Sequence, residues 1–392
     1  MQKPIHIIVV GAGAFGGWTA LYLKRAGVRV TLFDAWGPGN SRSSSGGETR
    51  VIRATYGPDQ PYTKLAARAI ELWHEHQIKW NRQFLLPLGV LWMMGGDGAY
   101  ARGSIAPLQA AGVEFEELGL KDLERRWPQI NFDNVESGIH EPNSGCLLAR
   151  TSAQAIVEHF IAEGGEYRQQ AVDGRNFEAR LFEAMPNGSK PEVHLLDGSH
   201  ISADRIIFAC GPWMGHLFPQ TIGPHFVSTR QEIFFFGTPA GETRFNAGNL
   251  PVWGDQTGHF MYGIPGNQER GFKLADDTRG PEFDPTYGDR LVSHEGIENV
   301  RNYLAYRFPG MKDAPLLESR VCQYENTSDE NFIIDRHPRN ENIWMVGGGS
   351  GHGFKHGPAL GEMVTKLVLK DDDAEAIFRL ARFSEKTTSP KT

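Results

Sequence analysis

Apolar residues fall in short runs broken by glycine along most of the chain, and the first run sets the pattern. Ile5, Ile7, Ile8, Val9 and Val10 form a largely β-branched run suited to a buried parallel strand. Trp18, Leu21, Tyr22 and Leu23 then recur about one helical turn apart, which predicts a helix over 15–26 that stops at Gly27. Val28 to Phe33 reads as a second strand, closed by Asp34. Helical spacing returns over 62–77 and 152–162, with shorter helices expected over 104–111 and 120–127. The apolar PLGVLWMM stretch predicts one strand over 84–94. Val193 to Leu196 and Ile201 flank an Asp197-Gly198 turn, a hairpin signal, and 205–210 reads as a buried strand able to rejoin the first sheet. The runs 226–236, 251–253, 260–264 and 271–274 follow without intervening helices, the mark of an antiparallel sheet. Finally, 342–346 reads as a strand leading into GGGSGHGFKHGPALGEMVTKLVL, a second glycine turn followed by a helix with Pro358 in its first turn.

The glycines between the first strand and helix add chemistry to this pattern. Gly11, Gly13 and Gly16 have GxGxxG spacing: a tight turn, a backbone that can approach a pyrophosphate, and close helix–strand packing. Ala14 and Phe15 open the helix, whose N-terminal amides and dipole would face the phosphates. Asp34 stands 18 residues after Gly16, near the spacing of about 20 expected of an acid that binds a ribose hydroxyl. This pattern predicts dinucleotide binding and leaves NAD and FAD both open. The next stretch, GPGNSRSSSGGETRVIRATYG, has two readings: a solvated loop, or a segment passing over the cofactor with Arg50 and Arg53 facing flavin or an anionic substrate.

Composition narrows the partners. The 392 residues carry a formal net charge of −7, with no basic excess to favour nucleic acid, and no apolar run approaches the ~20 residues of a membrane span. Cys146, Cys210 and Cys322 are too few and scattered for a disulfide framework or zinc site, which fits a reducing cytoplasm. From Ser384 the chain reads as a loose tail.

Four blocks together, VVGAGAFG, GGETRVIRATYG, CQYENTSDENFIID and GGGSGHGFK, resemble the D-amino-acid-oxidase-like flavoproteins. Within these the likeness is to the sarcosine oxidase, N-methyltryptophan oxidase, pipecolate oxidase and fructosyl amino acid oxidase group. The resemblance implies an α/β plus α+β fold. A Rossmann-type FAD-binding domain would be assembled from 1–85, 146–222 and 320–392, beside a substrate domain on a large antiparallel sheet from 86–145 and 223–319. It implies FAD tethered covalently to Cys322, with Gly11, Gly13, Ala14, Phe15, Gly16, Asp34, Ser44, Thr49, Arg50, Val172, Gly351, Gly353, Phe354 and Lys355 in the cofactor site. Lys273, shortly after the YGIPG block, takes the place of a lysine that promotes O2 reduction; Arg53 and Lys355 take those of substrate-carboxylate ligands. Arg50 would lie near the flavin face, with Tyr262 and Tyr324 framing the substrate pocket. Core packing is nearly as good a reading of those two tyrosines, and the safer one for Trp73.

Two positions depart from the group. Asp277 stands four residues after Lys273, where sarcosine oxidases have histidine, and Gly46 replaces a frequent histidine before the arginine block. An acid at Asp277 either favours a substrate with an added cationic or hydroxyl group or simply faces solvent. The expected function is oxidation of a secondary or N-substituted amino acid, with hydride transfer to FAD and reduction of O2 to H2O2. The partners would be that small molecule and O2, without nucleic acid or membrane, and the protein a monomer or small homo-oligomer. The alternative is an FAD-dependent dehydrogenase serving a quinone or protein acceptor.

Overall fold

The computed structural model describes residues 4–96, 98–183 and 190–385. Its first sheet has six strands in the order Ile333–His337, Asn340–Gly347, Arg205–Phe208, His6–Val10, Arg29–Phe33 and Glu166–Arg168. All neighbours run parallel except the first two, which form an antiparallel hairpin. Residues from both termini and the middle of the chain thus share one sheet. The apolar runs read from the sequence account for its centre: Val9 lies beside Ile207 on one side and Leu32 on the other.

The helix Ala14–Arg25 packs on this sheet and against Gly357–Lys370, the helix of the second glycine turn. Both approaches need glycine. A Cβ at Gly16 would lie 1.9 Å from the Gly11 carbonyl oxygen, and one at Gly361 2.8 Å from the Trp18 backbone. Gly11 adopts φ +104°, a conformation side chains resist. The two helices are therefore held at backbone contact distance, and the turns that precede them converge.

The second large sheet has eight strands in the order Leu316–Thr327, Phe226–Phe236, Phe272–Asp276, Met261–Ile264, Val252–Gln256, Val90–Met94, Ser137–Glu141 and Glu116–Gly119. It is antiparallel apart from the Val252–Gln256 and Val90–Met94 pair. Its core gathers Phe234, Phe236, Trp253, Phe272 and Phe308, all buried. A three-stranded sheet of Thr49–Ile52, Gly145–Leu148 and Leu85–Leu86 lies between the others in sequence. Three strands, Leu85–Leu86, Gly145–Leu148 and Leu316–Thr327, run across the segment limits expected at 85, 146 and 320.

Several local expectations are corrected. The single strand over 84–94 is two strands in different sheets, because Pro87 and Gly89, at φ +72°, break it. The helix expected over 104–111 begins earlier and spans Ala99–Ala110, with Pro107 inside it. The Arg50 block is no free loop: Thr49–Ile52 pairs with Gly145–Leu148, and Arg50 sits opposite Leu147. The hairpin was expected correctly, as Glu192–His194 paired with His200–Ser202. Of the tail expected from Ser384, Ser384 and Glu385 end the short helix Arg382–Glu385, while 386–392 lie outside the described residues.

Candidate functional site

Strand ends from the six-stranded sheet, both glycine turns and the near face of the eight-stranded sheet enclose a cavity of about 570 Å³. That is within the ~300–1,000 Å³ usual for ligand pockets. Gly11, Gly13, Ala14 and Phe15 line it from the first turn, Asp34 from the end of the second strand, and Gly351, Gly353 and Phe354 from the second turn. Ser44 and Val172 contribute from the loops, Arg50 from the strand Thr49–Ile52, and Tyr262, Lys273, Cys322 and Tyr324 from the large sheet. These residues, separated by more than 300 positions in sequence, share one wall.

The dinucleotide end is built by backbone. The first glycine turn is tied to Asp34, whose carboxylate accepts from the amides of Ala12, Trp36 and Gly37 at 2.7–2.9 Å. Burial raises the Asp34 carboxyl above the usual range against the pull of those amides. A Cβ on Gly351 would lie 2.7 Å from the Tyr324 ring, so a glycine is needed for the second turn to cross this wall. Gly16 is not on the wall; it serves the helix–strand approach instead.

At the other end lie the cations. Arg50 donates to the carbonyls of Ser44 and Thr49, at 2.5 and 2.8 Å, and reaches the Cys322 sulfur at 3.9 Å. Thr49 therefore meets the cavity through its carbonyl's partners rather than as a lining residue. Lys273, only 2% exposed, crosses from the large sheet to donate to that same Thr49 carbonyl at 3.0 Å, with its ammonium 5.5 Å from the Tyr262 ring centre. Burial and neighbouring Arg50 push the Lys273 pKa down to about 7.

Arg53, Lys355 and Asp277 stand outside the cavity wall, in an adjoining aromatic compartment. The Arg53 guanidinium stacks on the rings of Tyr56 and Trp92, 3.9 and 4.7 Å from their centres, and donates to the Thr55 carbonyl. Lys355 is buried, donates to the His352 carbonyl at 2.7 Å, and lies 5.2 Å from the Tyr56 ring centre. Burial and Arg53 hold its ammonium well below the ordinary lysine range. Tyr324 joins the two spaces: it lines the cavity and donates to Asp277 at 2.6 Å. Burial raises the Asp277 carboxyl to about 6, against that hydrogen bond and Arg53. Asp277 thus faces the compartment of Arg53 and Lys355 and not simply bulk solvent.

Trp73 takes its core reading, buried and donating to the Lys355 carbonyl at 2.8 Å. Cys146 is likewise buried, whereas Cys210 is partly exposed on the cavity wall. Among the wall residues that sequence reasoning passed over, three carry polar or aromatic groups of note. Gln231 is buried within the polar middle of its strand, Ser228–Glu232, so only the fold singles it out from its polar neighbours. Glu325 lies inside a block quoted for other reasons. Trp213 pairs with Trp36 at 4.9 Å near the wall, and no local pattern announces it. Among the described residues no cluster of three or more His, Cys, Asp or Glu could hold a metal ion, and no helix is long and apolar enough to cross a membrane.

The residues fit a dinucleotide of FAD size: glycines where a Cβ would obstruct, a helix N-terminus, an acid at the ribose position and cations at the far end. Comparison with known proteins agrees. The FAD dependent oxidoreductase family matches residues 6–367. Monomeric sarcosine oxidase of Bacillus sp. (strain B-0618) is 30% identical over 399 residues, covering 100% of both chains. N-methyl-L-tryptophan oxidase of Salmonella enteritidis is 29% identical over 395 residues, with 97% of this chain and 99% of that one covered. L-proline dehydrogenase from P. horikoshii superposes with a TM-score of 0.82 at 20% identity, covering 98% and 99%, and supports the fold.

The depressed Lys273 pKa makes stability depend on pH. Between about 7 and its ordinary 10.5, the unfolded chain binds the proton that the folded chain has lost, so this residue's contribution to stability rises with pH across that window. Urea midpoints of wild type and Lys273→Met are expected to converge below pH 7 less than they do above it: the penalty for burying the ammonium, absent in Lys273→Met, is largest at low pH. The difference between the two proteins should therefore shift in favour of wild type from about pH 7 to about pH 9.

Proposed function

We propose, from the premise that this chain belongs to the FAD dependent oxidoreductase family, that it oxidises the C–N bond of a secondary or N-substituted amino acid and passes the electrons to O2. The single observation that supports this reading best is the pairing of a buried Arg53–Lys355 compartment with a cavity that ends at buried Lys273. Sarcosine and N-methyltryptophan, named in the relatives, are both N-methyl amino acids, and each carries the carboxylate that such cations would hold.

The chain's own groups divide the work. The six-stranded sheet with its two glycine turns would be the FAD-binding unit, and the eight-stranded sheet the substrate unit. Arg53, pinned flat between Tyr56 and Trp92, presents a planar fork to a carboxylate, and Lys355 adds a second charge. Fixing the carboxylate orients the substrate C–H toward the cavity, where positioning alone can remove several kcal/mol of barrier. Bound FAD supplies the two-electron acceptor, which O2 reoxidises with release of H2O2. Lys273, when protonated, would place a cation where negative charge develops on oxygen, in a site from which water is excluded. Tyr262 and Tyr324 line the boundary between the cavity and the compartment. Cys322, beside Arg50 on the cavity wall, would carry the covalent link.

Two expectations follow from these roles. With an N-methyl amino acid and its decarboxylated amine compared by peroxide release, wild type should strongly prefer the acid. Arg53→Met and Lys355→Met should each cost about 1.5–3 kcal/mol, roughly ten- to hundredfold, toward the acid and little toward the amine. If both variants discriminate as well as wild type, the carboxylate is held elsewhere. Acid precipitation of purified wild type should leave the flavin colour in the pellet, and Cys322→Ser should release it to the supernatant; colour retained in the Cys322→Ser pellet places the link on another residue.

A further inference from the structure

Glu325 is a titratable residue that the proposed reaction leaves unused. It belongs to the strand Leu316–Thr327, three residues beyond Cys322, and lines the cavity while only 9% exposed. Its carboxyl lies between two glycines that follow strands of the other sheet. A Cβ at Gly211 would come 3.1 Å from Oε2, and one at Gly349 would come 2.8 Å from Oε1. Either substitution would crowd the carboxyl, so both chain crossings leave room for it.

The two oxygens differ. Oε1 accepts from the Gly349 amide at 3.3 Å, whereas Oε2 is buried without a hydrogen-bond partner. The Cys210 thiol, at the strand end before Gly211, donates to the Val10 carbonyl at 3.5 Å, and its charge environment includes both Glu325 and Asp34. On its own strand Cys322 turns to Arg50, and Gln323 to Arg290. His352, in the second glycine turn, is engaged with Tyr56 and the Glu330 carbonyl. On the neighbouring strand Phe226–Phe236, Ser228 lies opposite. No cation forms an ion pair with Glu325 among the described residues, and burial raises its carboxyl to about 7. A buried carboxyl without a counter-charge keeps its proton. Since Oε1 is already an acceptor, the proton belongs on Oε2, which then needs an acceptor from the cavity's occupant.

We propose that Glu325 is a cofactor-binding residue of this chain that donates a hydrogen bond from Oε2 to an acceptor oxygen of FAD. The inference rests on FAD being the occupant, as family membership states, and adds a proton to the site. FAD binding is then linked to protonation of Glu325. Affinity falls as pH rises through the titration of the free carboxyl, because ionisation removes the donor and places an unpaired charge in the cavity.

The test uses holoprotein carrying Cys322→Ser, so that FAD exchanges freely, with its dissociation constant followed by flavin fluorescence at about pH 6 and about pH 8.5, either side of the shifted carboxyl. With Glu325 intact, affinity should fall by at least roughly tenfold over that interval. Glu325→Gln keeps an N–H donor at every pH and should lose most of this dependence. Lys273 also titrates in the interval, so the difference between Glu325 and Glu325→Gln is the deciding quantity. Glu325→Leu, which cannot donate, should bind FAD more weakly than Glu325→Gln at both pH values. An equal pH dependence in the Glu325 and Glu325→Gln proteins overturns the proposal, whether or not the leucine variant folds. So does equal affinity in Glu325→Gln and a folded Glu325→Leu. Absence of FAD from every variant and from wild type would instead count against FAD as the occupant, a separate failure.

Discussion

The burial of the Lys273 ammonium is the constraint around which this site is arranged. A lysine on the third strand of an eight-stranded sheet gives up water for one carbonyl, that of Thr49, on a different sheet. Burying a charge this way is unfavourable unless something nearby compensates, and the lowered pKa expresses that cost. The strand Thr49–Ile52 must therefore be held firmly, which its pairing with Gly145–Leu148 accomplishes. The same carbonyl accepts from Arg50, so a single peptide oxygen fixes two cations at one end of the cavity.

Polarity is distributed across the site in a corresponding way. The end built from the first glycine turn carries backbone amides and Asp34, suited to phosphates and a ribose. The opposite end carries Arg50 and Lys273, and the compartment beyond it Arg53 and Lys355. Asp277 is the acidic counterpart there, hydrogen-bonded to Tyr324 and only partly exposed. Burial raises its carboxyl to about 6, so the Arg53–Lys355 compartment carries an acid that titrates just below neutrality.

The six-stranded sheet was legible because parallel strands buried on both faces write themselves as continuous apolar runs, and because glycine spacing at Gly11, Gly13 and Gly16 has a steric cause. Helix and strand types were read correctly where periodicity was long, as in Gln60–Lys79 and Phe226–Phe236. Short strands such as Glu166–Arg168 and Ser137–Glu141 escaped notice, since EYR and SGIHE are short and carry no apolar run like those of His6–Val10 or Arg205–Phe208. The strand at Thr49–Ile52 was hidden by the serine- and glycine-rich sequence before it, and only its partner strand shows why it is extended. Lys273 and Cys322 were found through resemblance of whole blocks, not local pattern. Glu325 was missed because its meaning depends on Gly211 and Gly349, which lie far away in sequence and are adjacent only in the fold.

Rapid mixing of the substrate-reduced protein with O2, for wild type and Lys273→Met, tests most directly whether the buried cation governs the chemistry. Stabilisation of developing charge on oxygen by a fixed cation in a dry site is worth several kcal/mol, so its loss should slow reoxidation by about two to three orders of magnitude. Anaerobic reduction by the substrate should slow far less. An oxygen rate constant in Lys273→Met equal to that of wild type would contradict the account.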